Sequence, residues 1–246
     1  MKRWFLLLTI ATFILPLFTF LNGCGDLETT TNVVSESVAT ESVSEETSSV
    51  QSIASSMASW INSGSVESFN LDGSVYNAVV VTDLGGGSYH ITLSTTEGLS
   101  TYSADIYATV EVSLLHQIGT VEMSGSFTSA RSYAGYTILC TQEYGTSGTP
   151  IKGTATLSSG VVSSITISGG ISSTLQGRLR NIMMTLSTST FTLPVTTGTD
   201  YPTGSITIAT TYNGMAQDSI IVTFNGTSTG SITYGTKSGT FPIKGY

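Results

Sequence analysis

Histidine and cysteine are the scarcest side chains able to do chemistry in this 246-residue chain. There are two of each: His90, His116, Cys24 and Cys140. A zinc site needs at least three protein ligands, and a structural one usually needs four. No acid or serine stands at a spacing that joins the two histidines into a catalytic pair, so we expect both to be structural. We therefore predict no metal, no cofactor and no catalytic residue.

Arginine supplies the one local concentration of charge. Arg178 and Arg180 alternate, so they would point to the same side of a strand. With Arg131 they are candidate contacts for a phosphate or carboxylate, because the guanidinium group matches both in geometry. The alternative is that they pair with neighbouring glutamates on a solvent-exposed face.

The acidic residues are scattered rather than paired. Asp105 and Glu111 share one face of a predicted strand, but six residues separate them by about 20 Å. That distance is too long for a two-carboxylate acid/base site. The segment Gly226-Thr227-Ser228-Thr229-Gly230 has the letters of a nucleophile elbow, yet it lies between alternating strands instead of at a strand-to-helix turn. We interpret that match as chance and expect a protein that is not an enzyme.

Composition excludes two further classes of protein. Only 10% of the residues are charged, with eight Lys plus Arg and a formal net charge of −8. A nucleic-acid groove needs clustered cations to neutralise phosphates, so nucleic acid is not an expected partner. A hydrophobic content of 39% and a mean hydropathy of +0.23 also exclude a disordered, charge-swollen chain.

The N-terminus has the organisation of a targeting segment. Lys2 and Arg3 precede an apolar run from Trp4 to Leu21, which ends at Leu21-Asn22-Gly23-Cys24. This ending resembles the lipobox of bacterial lipoprotein precursors, in which an aliphatic residue, a spacer and a small residue precede the acylated cysteine. The alternatives are an uncleaved transmembrane anchor and an ordinary secretory signal.

The resemblance implies that residues 1–23 are removed and that Cys24 carries a diacylglycerol. Two or three acyl chains anchor a protein stably, because each buried CH₂ contributes about 0.8 kcal/mol. In this class an aspartate after the cysteine favours retention in the inner membrane, so Gly25 implies the outer membrane. We therefore expect a cell-envelope protein that contacts the membrane through acylated Cys24, in a palmitate-type modification.

The chain after Cys24 divides into a tether and a folded domain. Residues 24–47 are acidic and rich in Ser and Thr, which predicts a solvated tether. From Ser48 the apolar residues follow the 3.6-residue period of a helix, and Asn62-Ser63-Gly64 ends it. The domain is therefore predicted to span residues 48–246, with this helix packed on a sheet.

Period-two alternation continues from Gly64 to the end of the chain. Tyr102–Leu114 is the longest run, and Asn213-Gly214 and Asn225-Gly226 are hairpin signals. We predict a mainly β fold, an antiparallel up-and-down meander of about 10–12 strands that forms a closed or half-open barrel. A two-sheet β-sandwich is the alternative. Residues 172–186 fit either a strand or a second short helix.

Two functions fit this architecture. The first is a non-enzymatic lipoprotein whose curved sheet binds an apolar or lipid-like ligand, with the helix as its cover. The second is a structural or adhesive protein, on the cell surface or in the periplasm, that binds glycan or protein partners. An interior with space for a ligand would favour the first, and a filled core with an exposed edge or tyrosine patch would favour the second.

Overall fold

The alternating segments form thirteen strands in the part of the chain that the structure describes, and one helix precedes them. The structure is a computed structural model and describes residues 36–66, 78–133, 136–145, 148–176, 181–194, 201–212, 215–216 and 218–243. The elements are α1 (Glu36–Ser63), β1 (Val79–Gly85), β2 (Ser88–Glu97), β3 (Ser100–Ser113), β4 (Ile118–Tyr133), β5 (Tyr136–Tyr144), β6 (Ile151–Ser158), β7 (Val161–Gln176), β8 (Asn181–Pro194), β9 (Thr203–Tyr212), β10 (Met215–Ala216), β11 (Ile220–Asn225), β12 (Thr229–Tyr234) and β13 (Lys237–Pro242). The predicted mainly β class is confirmed.

All of these strands belong to one antiparallel sheet. The first half of β4 pairs with β6 and its second half with β5, and β7 pairs with the same two strands on their other side. Strands β5 and β6 therefore lie end to end in one position of the sheet, as do β10 and β11 along β9. The result is the predicted up-and-down meander, in one sheet rather than the two of a sandwich. Within the described residues, β1 and β13 each pair on one side only, so the sheet is open.

Two glycines mark the junction where β5 gives way to β6. Gly125 stands in β4 where the partner strand changes, and Gly169 stands at the corresponding point of β7. Both have positive φ angles, 135° and 108°, in the region that favours glycine. Added Cβ atoms would meet backbone atoms of β3 at Gly125 and of Ile151 at Gly169. Glycine is therefore required at both sides of the junction.

The helix begins earlier than the sequence predicts. Helix α1 starts at Glu36, twelve residues before Ser48, so the predicted tether 24–47 is partly helical. No glycine or proline interrupts residues 26–63, and Glu36 falls in the first turn, where the helix dipole favours an anion. The apolar period that begins near Val50 therefore does not mark where the helix starts.

The described side chains of α1 are buried over more than one apolar stripe. The buried residues from Val50 to Ile61 cover about 220° of the helix circumference at 100° per residue. Gln51 and Ser56 belong to this buried arc although they are polar, whereas Ser59 on the opposite side is exposed. A helix on a flat sheet would bury a narrower face, so the sheet curves around α1.

Three contacts hold the C-terminal half of α1 on the sheet. Ile61 packs directly over Gly119 of β4, and Met57 packs over Gly153 of β6. The side chain of Asn62 accepts a hydrogen bond from the backbone N–H of Val162 in β7, at 2.8 Å. The absence of a Cβ at Gly119 and Gly153 allows the helix to approach the strands closely.

We expect Asn62→Ala to lower the free energy of unfolding by about 1–2 kcal/mol, because the part-buried N–H of Val162 loses its acceptor. Asn62→Asp keeps an acceptor oxygen and is the matched control, which should stay within about 0.5 kcal/mol of the wild type. Urea unfolding measures both values. Equal losses in the two variants would show that this hydrogen bond does not hold the helix.

The described part of residues 172–186, which fitted either a strand or a short helix, belongs to two strands. Residues 172–176 complete β7 and residues 181–186 begin β8, and the two strands pair antiparallel.

Over the described residues, no helix combines the length and the apolar character needed to cross a bilayer.

Candidate functional site

Only one of the four residues selected from the sequence lies in the described part of the chain. Cys24, Arg178 and Arg180 are outside the described residues, so their attachment and contacts remain predictions. Arg131 lies near the end of β4, with its side chain half-buried. Arg131 is therefore the one of these four residues whose surroundings the structure describes.

Strand register shows which way Arg131 points. Val121 and Met123 are buried on the inner face of β4, and Arg131 stands in the same alternating phase. Arg131 is paired with Ser100 of β3 and Ile138 of β5, and paired residues share one face of a sheet. Arg131 therefore belongs to the concave face that curves around α1.

Most of this concave face is apolar and buried. The central pairs join Ile91 to Ile106, Tyr144 to Ile171, and Ile208 to Ile220. All six residues are at most 3% exposed. Further along the sheet, Phe224 contacts Phe191 and Phe241 edge to face, with ring centroids 5.1 Å and 6.0 Å apart. The middle of the concave face is thus a continuous apolar surface.

The concave face becomes polar towards one end. Its polar inward positions there, which we call the polar end, are Tyr102 of β3, Ser129 and Arg131 of β4, Cys140 and Gln142 of β5, and Ser173 of β7, and the apolar residues Phe127 and Ile138 lie between them. All except Ser173 are partly exposed. Phe127 lies among them and stacks on Tyr102, with ring centroids 6.4 Å apart. The polar end therefore lies between the apolar interior and solvent.

Hydrogen bonding inside the polar end is incomplete. The hydroxyl of buried Tyr144 donates to the side-chain carbonyl of Gln142 at 2.8 Å. Ser173 pairs directly with Gln142 across the strands and is only 6% exposed. Its hydroxyl has no hydrogen-bond partner among the described residues, and the same holds for the amide nitrogen of Gln51 in α1, a residue that is 8% exposed. A buried polar group without a partner costs about 1–3 kcal/mol.

This arrangement combines the two kinds of surface that an amphiphile presents. An apolar surface can hold an aliphatic chain, and a guanidinium at its partly exposed end can bind a carboxylate or phosphate through two hydrogen bonds. The inward residues that define the polar end include no His, Asp, Glu or Lys.

The outer face carries a separate cluster that the sequence did not reveal. His90 on β2 stacks on Tyr107 of β3, with ring centroids 4.4 Å apart and planes at 7°. Its Nε2 lies 2.7 Å from a carboxylate oxygen of Asp105. Register alone brings these residues together across the β2–β3 hairpin, since fifteen positions separate His90 from Asp105 in the chain. In the turn after β3, the Nδ1 of His116 lies 2.9 Å from the Ser113 hydroxyl.

The remaining described residues offer little chemistry. They contain no group of three or more His, Cys, Asp or Glu that could hold a metal ion. A shallow depression of about 270 Å³ lies beside β7, β8 and β9 and is lined by Ser164, Thr192, Pro194, Tyr201, Thr203 and Gly226. Its lining has no charged side chain.

Sequence analysis selected Arg131 but missed Gln142, Ser173 and Gln51. Gln142 and Tyr144 continue the phase of Ile138 and Cys140, so alternation alone could have placed Gln142 on the inner face. Ser173 could not be found in this way, because residues 172–186 also fit a helical period.

Comparisons of the chain with protein-family models, with curated proteins and with solved structures found no match.

Proposed function

We propose that this chain is a non-enzymatic lipoprotein of the bacterial cell envelope that binds an amphiphilic ligand in its curved sheet. Acylated Cys24 attaches it to the membrane, and Gly25 favours the outer membrane over the inner one. The observation that carries the ligand proposal is the concave face, which is apolar in the middle and has Arg131 at its polar end. The ligand class is an aliphatic chain with a carboxylate or phosphate head.

Helix α1 is the cover of this site. Its described residues occupy the concave face, so an aliphatic chain enters only when α1 shifts. The buried arc of the helix contains Gln51 and Ser56, and the amide nitrogen of Gln51 lacks a partner among the described residues. Apolar residues at these positions would hold the helix more tightly. The polar residues support a cover that can leave the sheet.

The anchor is tested by the mass of the intact protein. We expect the chain isolated from bacterial membranes to lack residues 1–23 and to carry a diacylglycerol, with or without a further acyl chain, on Cys24. The Cys24→Ala variant should carry no acyl mass, whereas Cys140→Ala, the matched control, should be acylated like the wild type. An unmodified Cys24 on a chain that retains its leader would reject the lipoprotein assignment.

Ligand binding is tested with two fluorescent probes that differ only in the head group. We expect a labelled C16 fatty acid to bind the wild type, and Arg131→Gln to weaken its affinity about tenfold, which is the worth of one charge-assisted hydrogen bond. The corresponding C16 alcohol should bind both proteins equally. Lys152→Gln is the control, because Lys152 pairs with Glu122 at 3.0 Å on the outer face. Failure of both probes to bind the wild type would remove the ligand proposal.

A structural or adhesive role that includes glycan binding is the second candidate. The observation that favours it is the outer cluster, in which exposed Tyr107 stacks on His90 beside the carboxylate of Asp105. An aromatic ring next to a carboxylate can contact a sugar through its apolar face and its hydroxyl groups.

The glycan candidate predicts binding to peptidoglycan fragments or to a glycan array that Tyr107→Ala abolishes. Tyr107→Phe keeps the ring and is the matched control, which should retain binding. A wild-type protein that binds none of these glycans would reject this candidate without affecting the lipid-probe result.

A further inference from the structure

Three turns lie together at the end of the sheet opposite the polar end. The turn between β1 and β2 is joined to β3 by a hydrogen bond from the N–H of Val110 to the carbonyl of Gly87, at 2.8 Å. The turn between β3 and β4 is joined to β6 by a bond of the same length, 2.8 Å, from the N–H of Leu157 to the carbonyl of Gln117. The β6–β7 turn follows directly after β6. The three turns therefore form one surface.

This surface contains most of the large exposed apolar side chains among the described residues. Leu114 and Leu115, in the β3–β4 turn, are 68% and 88% exposed. The exposed apolar residues around them are Leu84, Val112, Ile118 and Val161. We call Val112, Leu114, Leu115 and Ile118 the apolar apex. Single exposed leucines need no explanation, but a contiguous apolar patch on a soluble surface marks an interaction site.

The apolar apex is also uncharged. From Val112 to Val121 the chain has no Asp, Glu, Lys or Arg. The turn from Ser158 to Val161, which lies beside it, is uncharged as well. His116 is the one titratable side chain of the apex turn, and its Nδ1 is within hydrogen-bond distance of Ser113. The apolar apex therefore has no charged side chain with which to bind a charged partner.

The register of the hairpin shows how its turn comes to be exposed. Strand β2 starts at Ser88, opposite Thr109, so β3 continues past the end of β2 through residues 110–113. Leu114 and Leu115, at the tip of the β3–β4 hairpin, are the two most exposed large apolar side chains of the described residues. Uncharged aliphatic side chains that are exposed to this degree suit the acyl region of a bilayer, which adapts to their shape, better than a preformed protein pocket.

We propose that the apolar apex inserts into the surface of a lipid bilayer, with Leu114 and Leu115 as the inserted residues. The insertion is driven by burial of aliphatic side chains and needs no anionic lipid. It is a second membrane contact, made by the folded domain itself, and it does not depend on acylation of Cys24 or on a ligand at the polar end.

The test reports the depth of the tip in the full chain. An environment-sensitive fluorescent amino acid replaces Leu115, or replaces Leu99, which is 60% exposed in the β2–β3 turn at the other end of the sheet. With phosphatidylcholine vesicles we expect the probe at position 115 to shift its emission to the blue and to lose quenching by iodide. The probe at position 99 should do neither. A quenchable probe at 115, or equal protection of both probes, would overturn the proposal.

Two further measurements separate insertion from adsorption. Leu114→Asp in the chain labelled at 115 should abolish the protection, because a carboxylate is costly in the apolar region of a membrane. Val80→Asp, on the outer face of β1 and similarly exposed, should leave it intact. Protection should also persist at about 1 M salt, where charges are screened beyond about 3 Å. Loss of protection in salt, or in the Val80→Asp control, would also overturn it.

Discussion

Replacing Gly125 with alanine should lower the free energy of unfolding by about 3–5 kcal/mol, enough to unfold a marginal domain. Gly125 has φ = 135°, and an added Cβ would lie 2.2 Å from the carbonyl oxygen of Asp105. The positive φ angle and the clash with the Asp105 carbonyl both involve backbone atoms, and β4 is hydrogen-bonded to a neighbouring strand on both sides at this point. Neither a rotamer change nor a small shift of one strand can relieve the clash.

The matched control for Gly125→Ala is Gly239→Ala in β13. Gly239 has an ordinary φ angle, and a Cβ added there would meet no atom within 4 Å, so alanine should be neutral or stabilise by up to about 1 kcal/mol. Urea unfolding with a common m-value measures both changes. Similar losses in the two variants would contradict the assignment of Gly125 to a backbone-limited junction.

The second large effect is expected where α1 rests on β4. An alanine Cβ at position 119 would lie 2.2 Å from Cγ2 of Ile61, which is β-branched and almost fully buried. Gly119→Ala should therefore cost about 1–3 kcal/mol by overpacking, and Ile61→Ala about 2–5 kcal/mol by leaving a cavity. The double variant should lose at least about 1 kcal/mol less than the sum of the two, since the new methyl fills part of the cavity.

A double-mutant cycle by urea unfolding measures this coupling. Gly153→Ala is the comparison, because its Cβ would first meet the flexible Sδ of Met57, at 2.7 Å, and that side chain can move away. Its cost should be smaller than that of Gly119→Ala. Additive losses at positions 61 and 119 would mean that the helix does not rest on β4 as the structure shows.

The contact between α1 and the sheet connects stability to the proposed function. If α1 is the cover of a ligand site, variants that loosen it should bind the C16 fatty acid more readily, because less free energy is needed to move the helix. Asn62→Ala removes a hydrogen bond at the far end of the helix from the polar end, without altering the concave face. Comparing the affinities of Asn62→Ala and Asn62→Asp for the C16 fatty acid tests whether α1 acts as the cover, and it leaves Arg131 unchanged.

Much of the fold could be predicted from local patterns. The alternation from Tyr102 to Leu114 predicts a long strand with one apolar face, and β3 covers residues 100–113 with that face buried from Ala104 to Val110. The start of α1 could not be predicted in the same way, because residues 36–47 are acidic and rich in Ser and Thr and lack the apolar period that begins near Val50. Residues 172–186 were ambiguous because their apolar residues satisfy both periods.

The candidate site was harder to predict than the fold. Arg131 could be selected because charge is scarce in this chain, but its inward direction follows from pairing with Ser100 and Ile138. The cluster of His90, Tyr107 and Asp105 depends on the register of one hairpin. A shift of one residue in that register would move these side chains to the other face of the sheet.

The sequence by itself determined the mainly β fold class, the up-and-down arrangement of consecutive strands and the expectation of a lipid anchor. Those properties depend on composition, on period and on short motifs, which are local. Only the tertiary structure decided that β5 and β6 share one position in the sheet, that the sheet curves around α1, and that the polar end and the apolar apex lie at opposite ends. These depend on register and on backbone contacts between residues distant in the chain, which no local pattern encodes.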